Sequence, residues 1–136
     1  MAQKLSVSLS GDIDLKQDSA TCPGGTSDPG EAYKFSLLDV NRQADLNQSN
    51  KLLPVDASGG PVPLPFPANL LGRVLYLKVL SGGPLDVEVT FSTQGAVVYP
   101  VKGLLIIEPS DDENILGVSI ADGTGEIEWL CTGTEA

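Results

Sequence analysis

Between residues 85 and 91 the chain alternates without exception: Leu85, Val87, Val89 and Phe91 are apolar, and Asp86, Glu88 and Thr90 stand between them. Successive side chains of an extended chain point to opposite faces, so this is a strand with one dry and one wet face. The same period returns at Ile127, Trp129 and Cys131, and near the N-terminus at Leu5, Val7 and Leu9, then Ile13 and Leu15. No apolar pattern of period 3.6 survives over a dozen residues, so a helix would have no stripe to bury.

Turn chemistry punctuates these runs. Ser81-Gly82-Gly83-Pro84, Ser92-Thr93-Gln94-Gly95 and Lys102-Gly103 each separate two apolar stretches. Asp122-Gly123-Thr124-Gly125 reads as a hairpin between 115–120 and 126–131, because Asp-Gly accepts positive φ. The stretch Arg73 to Leu80 is apolar on both faces, as expected of a central strand. Short strands at regular spacing predict an all-β fold: an antiparallel β-sandwich or barrel, jelly-roll-like, with long Gly/Pro-rich loops.

The first half is less regular. Gly11-Asp12 interrupts the N-terminal alternation, which predicts a bend or bulge. Residues 21–30 (TCPGGTSDPG) read as a surface loop, and a strand follows at about 31–40 with Tyr33, Phe35 and Leu37 on one face. Residues 39–51 (DVNRQADLNQSNK) are polar and Asn-rich; they could form a short helix, but their composition favours a long loop or an edge excursion. In residues 59–67 (GGPVPLPFP) proline recurs at every second position, which suits a stiff extended strap whose Val62, Leu64 and Phe66 pack inward. The 136 residues form one expected domain, 1–136, with 1–20 as an N-terminal arm or strand.

Composition narrows the chemistry. With 8 Lys and Arg against 18 Asp and Glu, the net charge is −10, and a chain of that charge is a poor partner for nucleic acid or anionic membrane. The longest apolar stretch, Leu75 to Leu80, is broken by Lys78 and is far too short to span a bilayer. No basic-then-apolar start marks a signal peptide. There is no histidine, the commonest general base and metal ligand. Two cysteines, Cys22 and Cys131, could form one disulfide, but the plain reading is one loop thiol and one packed strand thiol.

The acidic residues offer three pairs at strand spacing: Asp12/Asp14, Asp86/Glu88 and Glu126/Glu128. Paired carboxylates can hydrolyse a glycoside across a cleft. Here each pair brackets an apolar residue (Ile13, Val87, Ile127), which places the acids on the wet face. The turn 108–114, with Glu108, Asp111, Asp112, Glu113 and Asn114, could offer oxygens to calcium but lacks the spacing of an EF-hand loop. Trp129, Tyr76 and Tyr99 could stack on sugar rings, although Trp129 shares the inward parity of Ile127 and Cys131. No Walker loop and no GxSxG elbow occurs. The expectation is a non-enzymatic protein without catalytic, metal-binding or cofactor-binding residues.

The stretch GRVLYLKVLSGGPLDVEVTF (72–91), VYPVKGLLIIEPSDDENILGVSIADGTGEIEWLCTG (98–133) resembles small β-rich virion proteins of tailed bacteriophages. The resemblance is an order of elements: an apolar strand, a polar alternating strand, a Val-Lys-Gly-Leu-Leu-Ile-Ile strand, an acidic turn, and a closing GTGEIEWLCTG segment. It implies a capsid decoration (cement) protein that assembles in the host cytoplasm and works in the virion. Its partners would be the major capsid protein or other virion proteins. A tail or head–tail adaptor or fibre-attachment protein is the neighbouring alternative, and a carbohydrate- or receptor-binding module a further one. Symmetric shells favour closed oligomers, so a homo-oligomer, with a trimer favoured, is expected, its contacts made by residues 1–20 or 57–67.

Overall fold

A computed structural model of the chain describes residues 5–15, 31–44 and 46–136, with side chains from Leu46 onward. The fold is all-β, and no helix occurs among the described residues. The chain divides into two compact units, Ser6–Arg42 and the remainder, which comprises Met1–Leu5 with Gln43–Ala136. The first unit is built on β1 (Leu5–Leu15) and β2 (Glu31–Ala44), which pair as a two-stranded sheet. The loop at 21–30 and the side chains of Asp12, Asp14 and Cys22 lie outside the described residues.

The second unit holds β3 (Leu46–Asp56), β4 (Val62–Pro63), β5 (Leu70–Gly82), β6 (Leu85–Phe91), β7 (Gly95–Val101), β8 (Leu104–Ile107), β9 (Ile115–Asp122) and β10 (Thr124–Glu135). They form one antiparallel sheet along β3-β10-β5-β9-β6-β7, with β4 on β9 and β8 on β5. Its end strands β3 and β7 do not pair with each other, so it is not closed into a barrel.

The hydrogen bonding is uneven along this path. β5 meets β9 at a single residue pair, Gly72 opposite Ile115. On either side of that junction lie two four-stranded ladders, β3-β10-β5-β8 and β4-β9-β6-β7. Apart from the β6–β7 hairpin, every connection carries the chain from one ladder to the other. The Asp122-Gly123 segment is therefore a crossing, not the hairpin its sequence suggests: β9 runs beside β6, and β10 between β3 and β5. Gly123 does take positive φ (102°), but Ala57 N–H donates to its carbonyl across the crossing. Local turn chemistry fixed the backbone angle, and long-range pairing chose the partner strand.

Alternation is realised as burial. Leu85, Val87, Val89 and Phe91 are buried, and Asp86, Glu88 and Thr90 are half-exposed. In β10, Ile127, Trp129 and Cys131 are fully buried on one face. These side chains join Val55, Leu64, Leu75, Leu77, Ile115, Val118 and Ile120 in one core drawn from both ladders. Each such side chain contributes about 1.5–3 kcal/mol of transfer free energy. β5 departs from the expectation of two apolar faces, because Lys78 and Leu80 are exposed. Bulges at Arg73 and at Leu80, neither of which stands opposite a residue of β10, shift which parity faces inward.

Over its described residues the polar stretch 39–51 is strand, the edge excursion rather than the long loop. Residues 39–44 finish β2, and Leu46–Asp56 is an edge strand whose outer row (Asn47, Ser49, Lys51) is exposed. An edge strand in water tolerates polar residues that a central one would reject, so its composition resembles that of a loop. The proline-rich segment is the expected strap: Leu64 is buried, Val62 and Phe66 are half-buried on the core, and Leu64 N–H donates to Val118 O.

Candidate functional site

The antiparallel register lays out the outer face of the β3-β10-β5-β8 ladder in rows. One row is Ile106, Tyr76, Leu130 and Ser49; the next is Leu104, Lys78 and Glu128. Residues directly opposite across strands share a face, so each row is a line of neighbouring side chains. Apolar members of these rows are open to solvent: Leu104 is 56% exposed, Leu130 37% and Ile106 36%. At the β3 side a bulge between Ile127 and Trp129 sets two residues of β3, Lys51 and Leu52, against Glu128 alone.

That bulge opens a groove of about 270 Å³, lined by Ser49, Asn50, Lys51, Tyr76, Glu128, Trp129 and Leu130. The Tyr76 hydroxyl donates to Glu128 Oε1 at 3.0 Å across the β5–β10 ladder. Burial, then the hydrogen bond and negative charge of Glu128, push the Tyr76 phenol above its ordinary pKa. Trp129 Nε1–H donates to Asn50 Oδ1 at 3.0 Å, so the buried indole fixes the amide at the groove's edge. A second groove, about 330 Å³, lies along Pro63, Leu64, Phe66 and Gly117, with only the hydroxyls of Thr90 and Ser119 to offer polar side-chain atoms.

The sequence-derived candidates scatter. Asp86 and Glu88 lie on the outer face of β6, and Glu126 and Glu128 on that of β10, each pair bracketing a buried residue as alternation requires. Of these acids Glu128 alone lines the first groove. Of the aromatics, Trp129 is buried, and Tyr99 packs on the core opposite Val87. Tyr76 is the one that lines this groove with its ring half-exposed. Ser49, Asn50 and Lys51 escape sequence reading, because their segment looks like loop and only pairing with β10 brings them beside Tyr76.

The acidic turn 108–114 is organised by protein groups. Glu113, an acid in a run of acids, is 5% exposed. Its Oε1 accepts from Ser92 Oγ (2.8 Å) and Thr93 N–H (2.6 Å), and its Oε2 accepts from the Thr93 hydroxyl. The Thr93 hydroxyl above all, with the backbone and Ser92 donors, holds its carboxyl below the usual glutamate value despite burial. Arg73 donates to the Glu113 carbonyl and to Asn114 Oδ1 (3.3 Å), and its Nη2 lies 3.5 Å from Asp111 Oδ1. A side-chain cation, the Arg73 guanidinium, thus bonds oxygens that the turn could otherwise offer to a calcium ion. Among the described residues no group of three or more His, Cys, Asp or Glu could hold a metal ion.

Cys131 is a free thiol at full burial, and desolvation pushes its pKa up to about 12. Such a thiol is a small hydrophobe rather than a nucleophile. No helix among the described residues is long and apolar enough to cross a membrane. No family model, curated protein or solved structure matches this chain.

Proposed function

We propose that the protein is a non-enzymatic structural subunit of a phage virion, a head decoration (cement) protein that binds the major capsid protein and acts in many copies. The observation that carries this reading is the set of open apolar side chains on the outer β10-β5-β8 face, Leu104, Ile106 and Leu130, held on a hydrogen-bonded ladder. Apolar side chains aligned on a rigid sheet suit a protein that works by covering a neighbour's surface. The order of elements over 72–133, which resembles small phage virion proteins, supports the same reading.

The ladder order adds to it. The chain visits the two ladders in the sequence of a double-sheet jelly roll, and one core is shared by side chains of both, which supports the reading of two ladders stacked face to face. Fold alone does not select among the uses of that architecture. The selection rests on the exposed apolar side chains.

The test is co-sedimentation of the purified chain with phage heads stripped of their decoration protein. The chain should pellet with the heads at saturating stoichiometry. Leu104→Glu with Ile106→Glu should abolish pelleting while leaving the chain folded. Pelleting with tails in place of heads would move the role to a tail or head–tail adaptor, and pelleting with neither would remove the virion reading.

A further inference from the structure

The groove beside Tyr76 shares Leu130 with the capsid-contact face, but its polar wall has a chemistry that the capsid-contact reading does not use. Its wall combines a phenol ring, a carboxylate (Glu128), an ammonium (Lys51), a hydroxyl (Ser49), an amide (Asn50) and the aliphatic Leu130. Two of these groups are held in place. Glu128 is tethered through Oε1 to the Tyr76 hydroxyl, which leaves its second oxygen to accept. Asn50 is tethered through Oδ1 to the Trp129 indole, which leaves its amide N–H groups to donate.

The composition of that wall selects a ligand class by elimination. A simple anion in the groove would meet Glu128, and a simple cation would meet Lys51. A purely apolar ligand would strip water from both without replacing it, which is strongly unfavourable. A neutral molecule with donors and acceptors around its rim and C–H bonds on its face satisfies every member at once. Its hydroxyls accept from the Asn50 amide and the Lys51 ammonium and donate to Glu128, and its apolar face lies on Tyr76 and Leu130. We infer that the groove formed by Ser49–Lys51 of β3, Tyr76 of β5 and Glu128–Leu130 of β10 binds a neutral pyranose unit of a glycan. The volume of about 270 Å³ holds one ring. The open, shallow shape sets a weak affinity, with Kd on the order of 1 mM, which multivalent display on an oligomer would raise.

The test is an amide-shift NMR titration of the full chain with methyl α-D-glucopyranoside, methyl β-D-galactopyranoside and N-acetylglucosamine. Inorganic phosphate and phenol serve as charged and apolar controls. At least one sugar, at concentrations up to about 50 mM, should shift the amides of 49–51 and 128–130, and neither control should. Glu128→Gln should weaken that sugar about five- to tenfold, the loss of one charge-assisted hydrogen bond. Lys51→Ala, at an exposed position, should weaken it with an otherwise unchanged spectrum. Three results would each overturn the inference: no sugar shifting these amides, phosphate or phenol shifting them in preference to a sugar, or sugar shifts insensitive to both variants. None of these outcomes bears on pelleting with phage heads, so the two readings stand or fall separately.

Discussion

Glu113 shows how one acid among many acquires a structural task. Its neighbours Asp111 and Asp112 are exposed, whereas its own carboxylate gathers the donors of Ser92 and Thr93 and so ties the acidic turn to the β6–β7 hairpin. Its pKa is lowered in the folded chain relative to the ordinary value of 4.5. The stability it contributes is therefore present above that value and lost as pH falls through the lower folded one. Glu113→Gln should flatten the acid limb of a plot of urea midpoint against pH and lower the plateau near neutrality. A residual acid slope should remain, because hydrogen bonds from Ser58 also lower Asp56. At Cys131, with its pKa pushed to about 12, a thiol reagent at pH 8 should give no reaction in a Cys22→Ser chain until denaturant is added, and then one equivalent. Trp129 fills the largest fully buried position. Trp129→Ala should destabilise the fold by about 3–5 kcal/mol. Trp129→Phe, which keeps an aromatic ring but strands the Asn50 oxygen, should cost about 1–3 kcal/mol in denaturant melts.

At the scale of elements, the crossing between ladders is the sensitive point. Gly72 is the one residue of β5 that pairs with β9. A Cβ there would lie 2.8 Å from Cys131 Sγ and 2.8 Å from Ile115 Cβ, and neither neighbour is a flexible side-chain end. Gly72→Ala should therefore cost about 1–3 kcal/mol in an equilibrium melt, a penalty of overpacking. Gly59→Ala, with nothing within 4 Å, should leave the midpoint nearly unchanged. Sequence reading located most of these strands because period-2 alternation is local. It left β3 open between a long loop and an edge excursion, because an edge strand carries loop-like composition, and pairing with β10 decided for the edge. It also misassigned the Asp122-Gly123 turn, since a positive φ specifies a bend in the backbone and not which strand lies beside the next one.

For the molecule as a whole, the open side chains of Leu104, Ile106 and Leu130 set the expected behaviour in solution. Light scattering behind a sizing column should give a closed oligomer of the 14.2 kDa chain, a trimer or larger ring, and Leu104→Glu with Ile106→Glu should return it to monomer. A monomer for the unmodified chain at high concentration would count against preassembly and leave capsid contact as the only route to ordered copies. Removal of residues 1–20 tests the N-terminal arm in the same experiment: an unchanged mass and melting midpoint would exclude it from assembly.

The sequence by itself determined the class of fold, the inward set Leu85, Val87, Val89, Ile127, Trp129 and Cys131, the inward strap at Val62, Leu64 and Phe66, and the outward placement of Asp86/Glu88 and Glu126/Glu128. Each of these follows from residues one or two apart, through the alternation of an extended chain. The tertiary structure alone decided that β10 lies between β3 and β5, that Lys51 and Asn50 stand beside Tyr76 and Glu128, and that Arg73 and Glu113 close the acidic turn. Those juxtapositions join residues 25 to 87 positions apart, from Lys51 beside Tyr76 to Leu46 opposite Gly133. Strand order is set by which faces bury the most apolar surface together, and that quantity is a property of the whole core and of no single segment.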